Sequence, residues 1–131
     1  MFRLFNDRWV KEGRTADDVR RFFEETKADP STQNNYAIRW AAYNGHADVV
    51  RLLLEDPRVD PSAKNNDALQ YACSRGYIDI VRLLLADPRI DPSDQRALRS
   101  AKRNNHTEII NLLTEHQFRL DGPEYNKNII T

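Results

Sequence analysis

The chain has 131 residues, of which 40% are hydrophobic and 31% charged, and 20 basic residues balance 20 acidic ones. The zero net charge argues against a dedicated nucleic-acid binder, because phosphate neutralisation requires a basic excess. Charges interrupt the N-terminal segment and no long apolar run occurs, which argues against a secreted protein and against a membrane protein.

The sequence repeats itself with an offset of 31 residues, at which Gly45 recurs as Gly76. Asp29-Pro-Ser-Thr-Gln-Asn-Asn opens one copy and Asp60-Pro-Ser-Ala-Lys-Asn-Asn opens the next, whereas a third copy lacks the Asn-Asn pair. A degenerate copy precedes them, because Trp9 aligns with Trp40. We therefore predict one repeat domain, 1–120, with an N-terminal capping unit (1–28), two repeats (29–59 and 60–90), a C-terminal capping repeat (91–118) and a flexible tail (121–131).

Each full unit is predicted to contain two short helices, which span about 36–44 and 47–55 in the first copy. Apolar residues at helical spacing define one face of each helix: Ile38, Ala41, Ala42, Val49, Leu52 and Leu53. Helices this short are not stable alone in water, so each unit must be covered by its neighbour. Stacking in single file, as a solenoid, follows.

The corners and loops of the units also carry signals. Gly45, Gly76 and Asn105 share one slot, and Gly and Asn best tolerate the left-handed conformation that follows a helix. Pro57 and Pro88 end the second helices. The Asp-Pro-Ser-x-x-Asn-Asn segment is rich in turn formers and is predicted to be the connecting loop.

The run Ala41-Ala42-Tyr-Asn-Gly45-His46-Ala-Asp-Val49-Val50-Arg-Leu52-Leu53 resembles ankyrin repeats in its Ala-Ala, Gly-His and Leu-Leu spacing. The resemblance covers roughly residues 15–117 and implies an all-α, ankyrin-type helical repeat solenoid of about four helix pairs with atypical terminal capping units. The family repeat has about 33 residues, so the inter-repeat loops here are expected to be shortened and the family's hairpin fingers short or absent. Abbreviated repeats of this kind are similar to those of large DNA viruses and single-celled eukaryotes.

The family's Thr-Pro-Leu-His helix start is replaced, in the first copy by Tyr36-Ala-Ile-Arg39. Asn35, Asn66 or Asp67 is therefore expected to cap the first helices.

The terminal units show the polarity expected of caps. Lys102 stands in the slot of Ala42 and Cys73, and Thr114 in that of Leu54 and Leu85. At the other end an apolar segment is predicted to form a helix that covers the first repeat; its residues are Phe2, Leu4, Phe5, Trp9 and Val10.

Catalytic chemistry is not indicated. His46 and His106 share a slot with Tyr77, which predicts a packing role. Cys73 is predicted to be a small buried filler, with no His or Asp recurring beside it to activate it. We expect no enzyme activity, cofactor, metal or small-molecule substrate. The single cysteine cannot form an internal disulfide, which favours the cytosol or nucleus.

Positions that differ between copies are not fixed by the scaffold, and these are the candidate partner-binding residues. They are Thr32, Gln33, Tyr36, Arg39, Tyr43, Asn44, Lys64, Asp67, Gln70, Ser74, Arg75, Arg96, Arg99 and Arg103. By the resemblance, they lie on the concave face formed by the loops and first helices. The Tyr and Arg residues of this set favour binding, since these residue types dominate interface hot spots. The alternative explanation for the variable positions is sequence drift at exposed sites. For the neighbouring aromatic residues Trp40 and Tyr71, the alternative to binding is packing between repeats.

These observations favour a monomeric, non-enzymatic module that binds an unidentified protein. An alternative is an adaptor that captures a host protein for degradation machinery, although only about fourteen residues follow the last predicted helix. Nucleic-acid binding through the arginines of the third copy is a further alternative, which the zero net charge argues against.

Overall fold

The computed structural model describes residues 15–91 and 95–121. Within these ranges the chain forms seven helices and no strand. They are α1 (Ala16–Thr26), α2 (Thr32–Tyr43), α3 (Ala47–Leu54), α4 (Ala63–Arg75), α5 (Ile78–Ala86), α6 (Gln95–Arg103) and α7 (Thr107–Asp121). The predicted N-terminal helix between Phe2 and Val10, and residues 122–131 of the predicted tail, lie outside the described residues.

The helices are arranged in two layers. The first helices of successive units, α2, α4 and α6, pack on one another, and the second helices, α1, α3, α5 and α7, do the same. We call these the first-helix layer and the second-helix layer. Each first helix also packs on the second helix of its own unit. The prediction of an all-α helical repeat solenoid is confirmed.

The core lies between the two layers. It includes the apolar residues predicted from the helical spacing, except that Leu52 is only partly buried. The largest fully buried side chains come from every unit and include Val19, Ile38, Leu69, Ile80, Leu84 and Ile109. Burying each such side chain stabilises the fold by about 1.5–3 kcal/mol. The units therefore share one continuous core.

The corners between the helices are left-handed, as the shared slot predicts. Gly45 has φ +76°, Gly76 has φ +81° and Asn105 has φ +60°. The next unit packs directly on each glycine: a Cβ at Gly45 would lie 3.0 Å from Cζ of Tyr77, and one at Gly76 would lie 2.7 Å from Cε1 of His106. Glycine is thus required here both by the backbone conformation and by the close approach of a ring.

The His/Tyr slot serves packing between and within units. The His106 Nε2 lies 3.0 Å from the carbonyl oxygen of Ser74 in the preceding unit, within hydrogen-bond distance. The His46 ring stacks on Trp40 with centroids 5.2 Å apart. These contacts support the packing role that the sequence predicts for the slot.

The loops after the second helices repeat one small motif. Asp56 accepts hydrogen bonds from the backbone N–H and the guanidinium of Arg58, and Asp87 does the same with Arg89. Because the arginine donates to it, each aspartate has a pKa below its usual range. Arg89 also donates to the backbone carbonyl of Val59, which ties neighbouring loops together. The loops are short, and no hairpin finger occurs within the described ranges.

Candidate partner-binding face

Each of the two full repeats begins its first helix with a short left-handed turn. Gln33, Asn34 and Asn35 have φ between +55° and +59°, and the equivalent residues 64–66 have φ between +56° and +62°. The right-handed helix begins only at Tyr36 and, in the next repeat, at residue 67. Left-handed conformation costs roughly 1–2 kcal/mol per non-glycine residue, less for Asn. The turn therefore needs contacts that hold it.

Arg39 and Gln70, which occupy one slot in successive repeats, supply such contacts. Arg39 donates from Nε to the carbonyl oxygen of Asn34 at 2.9 Å and from Nη2 to that of Gln33 at 3.2 Å. Gln70 donates from Nε2 to the carbonyl oxygen of Asn65 at 2.8 Å. Both side chains fold back over their own turn, so their positions are coupled to the scaffold.

Two further contacts join the turns to neighbouring units. Arg39 forms an ion pair with Asp67 at 3.3 Å, in which the side chains are only 16% and 24% exposed. Arg96 reaches back from α6 and donates to the carbonyl oxygen of Asn65 at 2.9 Å. These three charged residues stabilise the stacking of first helices.

The expected cap role of Asn35 is not what the structure has. Its Oδ1 accepts a hydrogen bond from the backbone N–H of Asp60, in the next unit, at 2.8 Å. Asn35 is also buried, with 7% of its surface exposed. This asparagine thus links two repeats, because the left-handed turn points its side chain toward the neighbouring loop.

A cleft lined by tyrosines lies between α2 and α4. Its volume is about 210 Å³, and its walls are formed by Tyr36, Arg39, Trp40, Tyr43, Asn44 and Tyr71. The Tyr43 and Tyr71 rings pack edge to face with centroids 4.9 Å apart. The Arg75 guanidinium lies 4.0 Å above the Tyr43 ring, a cation–π contact. We call the cleft formed by the six wall residues the tyrosine cleft.

Side chains of the tyrosine cleft differ in their accessibility. Tyr43 is 41% exposed, and among the described side chains it is the only large hydrophobic one that is exposed. Trp40 is only 6% exposed and stacks on His46, which supports the alternative that Trp40 mainly packs inside the solenoid. Tyr71 is partly buried and orients Tyr43.

Thirteen of the fourteen predicted binding residues lie in α2, α4 or α6, Asn44 directly follows α2, and none of the fourteen is buried. The exposed ones are Thr32, Gln33, Tyr43, Lys64, Arg75, Arg96, Arg99 and Arg103. The partly buried ones are Tyr36, Arg39, Asn44, Asp67, Gln70 and Ser74. The structure therefore brings them to one layer, and their role in binding a partner stays a prediction.

Residues outside the predicted set also contribute to this layer. Tyr71 lines the tyrosine cleft, and the exposed Lys102 adds charge at α6. Asn104 donates to the carbonyl oxygen of Ser100 at 2.9 Å. Its equivalent in the predicted set, Asn44, donates in the same way to the carbonyl oxygen of Trp40. Tyr71 shares its slot with Trp40, and the sequence leaves binding and packing between repeats as alternatives for both.

Cys73 is not placed for nucleophilic chemistry. Cys73 is fully buried, and burial raises the pKa of its thiol to about 12, which suppresses the nucleophilic thiolate. Among the described residues, His, Cys, Asp and Glu form no group that could hold a metal ion. Every helix in the described ranges is too short or too polar to span a bilayer.

A larger shallow groove, of about 540 Å³, lies at the second-helix layer between α1, α3 and the loop that follows α3. Phe23, Leu52 and Pro57 contribute to its lining, together with Arg20 and Glu24. The partial exposure of Leu52 is explained by its place in this groove. None of the predicted binding residues lines it.

Comparison with known proteins identifies the repeats. A family model of ankyrin repeats, in three copies, matches residues 10–96. No curated protein and no solved structure matches the chain. The family match spans the left-handed corners at Gly45 and Gly76, the first-helix layer as far as the start of α6 and the tyrosine cleft.

Proposed function

Because the chain belongs to the ankyrin-repeat family, whose repeats generally mediate protein–protein interaction, we propose that it is a non-enzymatic module that binds a partner protein. The binding surface is the first-helix layer, and the tyrosine cleft between α2 and α4 is the part of it that supplies the aromatic contact. The module acts in the cytosol or nucleus. The observation that carries the proposal is the exposure of Tyr43 beside two side chains that hold it in place.

An ordered aromatic side chain favours affinity for a physical reason. Association costs about 0.5–1.5 kcal/mol for each flexible side chain that becomes ordered. Tyr43 is already fixed between the Tyr71 ring and the Arg75 guanidinium, so little of that cost remains. Tyr and Arg in such clusters are typical hot-spot residues.

The test begins by isolating partners from the native source with the wild-type chain as bait and then measuring their affinity for purified variants. Tyr43→Ala should weaken the binding of a genuine partner by at least about 1 kcal/mol, a loss that only a minority of interface residues cause when truncated to alanine. Arg51→Ala, an exposed change on α3 in the second-helix layer, is the control and should leave affinity unchanged. Circular dichroism checks that both variants are folded.

Arg39→Ala is unsuited to this test, because Arg39 holds the left-handed turn and Asp67. Loss of binding in that variant could reflect a disturbed scaffold. If Tyr43→Ala binds every recovered partner as tightly as the wild type does, the proposed surface is wrong.

The adaptor hypothesis adds a second requirement, a segment that recruits degradation machinery. Residues 122–131, the candidate for a short recruiting motif, lie outside the described residues. Co-purification of a ligase component that is lost when residues after Leu120 are deleted would support it.

A further inference from the structure

The two layers carry opposite charge, although the whole chain is neutral. Helices α2, α4 and α6 contain seven basic residues and one acidic residue, a net charge of +6. Helices α1, α3, α5 and α7 contain five basic and nine acidic residues, a net charge of −4. Overall neutrality therefore hides a positive first-helix layer and a negative second-helix layer.

The arginines of the two layers also differ in their partners. In the second-helix layer, arginines pair with aspartates three residues earlier: Arg20 with Asp17, Arg21 with Asp18 and Arg82 with Asp79. In the first-helix layer, Asp67 is used by Arg39. No acidic side chain in the described ranges forms an ion pair with Arg75, Arg99 or Arg103, all of which are exposed. The positive charges of Arg75, Arg99 and Arg103 are thus available to a bound partner.

Apolar and charged features lie at different ends of the layer. One slot holds Tyr43, Ser74 and Arg103 in successive units, and its neighbour holds Arg39, Gln70 and Arg99. The surface is consequently aromatic at α2 and basic at α6. Packed helices lie about 8–10 Å apart, so these ends are separated by about 16–20 Å, which an extended chain spans in about five or six residues.

The details favour a polypeptide over a nucleic acid. Unpaired bases bind by stacking on open aromatic faces, but the Arg75 guanidinium lies 4.0 Å over the Tyr43 ring and covers one face. Carboxylates of a peptide, by contrast, can pair with individual exposed arginines at α6.

We propose that the first-helix layer binds an extended acidic segment of a partner protein, with an aromatic anchor in the tyrosine cleft and carboxylates over Arg75, Arg99 and Arg103. This inference rests on the proposed function and adds the chemistry of the partner. The charges that attract the segment are exposed to solvent and are screened by salt. The affinity is therefore expected to fall as the salt concentration rises.

A direct test uses a fluorescein-labelled peptide that joins one Phe through a five-residue Gly/Ser spacer to four Glu residues, made in both chain directions. The matched control replaces the four Glu residues with Gln. Fluorescence anisotropy at low salt should show at least tenfold tighter binding of the Glu peptide in one direction, and raising the salt should remove most of the difference. Equal binding of the Glu and Gln peptides, or binding of neither, overturns the proposal.

Two charge-matched double variants locate the site. Arg99→Gln with Arg103→Gln should weaken the Glu peptide at least tenfold, whereas Arg51→Gln with Arg82→Gln, which removes the same charge from the second-helix layer, should change it less than twofold. All four positions are exposed, so both variants should fold. Equal effects of the two variants contradict the proposal.

Two outcomes separate this inference from its alternatives. If a single-stranded oligonucleotide binds the wild type more tightly than the Glu peptide does, and its affinity falls in the variant with Arg99→Gln and Arg103→Gln, the layer binds nucleic acid and the inference fails. If a native partner depends on Tyr43 but is insensitive to these arginine changes, the inference fails and the proposed function stands.

Discussion

The second unit, residues 29–59, and the fourth unit, residues 91–118, use the same slot in opposite ways. Arg39 in the second unit is largely enclosed by the left-handed turn and by Asp67. Arg99 in the fourth unit, which lacks the Asn-Asn pair, is exposed. A position that varies between repeats is therefore not necessarily free for a partner, because a change in the neighbouring turn can change its role.

A second slot separates the units in the same manner. Ala42 and Cys73 are fully buried, whereas Lys102 is exposed. Where this slot is buried in the close-packed core, it accepts only a small apolar side chain. Where it is exposed, it accepts a charged side chain. The predictions below test this contrast by exchanging residues between units.

The largest effect is expected when a lysine is placed in the buried slot. Ala42→Lys should destabilise the protein by about 3–5 kcal/mol, because it buries an uncompensated charge in a site with no room. Lys102→Ala should change stability by less than about 0.5 kcal/mol. Urea denaturation followed by circular dichroism measures both. Similar losses from the two changes would mean that the slots are equally buried.

The corners come next. Gly76→Ala should cost about 2–3 kcal/mol, since alanine resists the left-handed conformation and its Cβ would collide with the His106 ring. Asn105→Gly should be nearly neutral, because asparagine already tolerates this conformation. Thermal denaturation compares them. A harmless Gly76→Ala substitution would contradict the close packing of the third and fourth units.

Cys73 should make stability depend on alkaline pH. Burial raises the pKa of its thiol from 9.0 to about 12, so the folded protein favours the neutral thiol. The contribution of Cys73 to the free energy of unfolding is fully present below pH 9. It declines above pH 9, because the Cys73 thiol ionises in the unfolded chain before it ionises in the folded protein. Between about pH 8 and about pH 10.5 the wild type should lose about 2 kcal/mol relative to Cys73→Ala.

Urea titrations of both proteins at several pH values test this expectation. Cys73→Ala is a fitting reference, because the equivalent slot in the second unit holds Ala42. A constant difference between the proteins across this pH range would show that the thiol is not shielded from water.

The smallest effect concerns the turn-holding slot. Arg39→Ala should cost about 1–2 kcal/mol through the loss of hydrogen bonds from a charged donor, whereas Arg99→Ala should cost less than about 0.5 kcal/mol. Arg39→Gln should recover part of the loss, since Gln70 makes the equivalent bond. Chemical denaturation provides the measurement, and equal costs at Arg39 and Arg99 would contradict the contrast between the units.

The sequence predicts the repeat fold and its corners because these depend on local residue types in a regular period. Gly45, Gly76 and Asn105 all have the left-handed conformation that their shared slot indicates. The left-handed turns were not predicted. Gln33 and Lys64 do not favour that conformation by themselves, and contacts formed only in the folded stack, such as that of Asn35 with Asp60, hold the turns.

The candidate site was predicted only as a set of positions on one layer. Sequence comparison between copies finds Arg39 and Arg99 equally variable, because it contains no information on which backbone carbonyls lie nearby. The charge difference between the layers likewise depends on knowing which helices share a face. The total charge of zero, which argues against a dedicated nucleic-acid binder, averages over two layers of opposite charge.

The central claim, that the first-helix layer is the binding surface, is tested most directly by nuclear magnetic resonance. Amide spectra of the ¹⁵N-labelled protein would be recorded during titration with the Phe-spacer-Glu peptide. Shift changes concentrated on α4 and α6, around Arg75, Arg99 and Arg103, with further changes around Tyr43, are the predicted result. Changes confined to α3 and α5, in the second-helix layer, would contradict it.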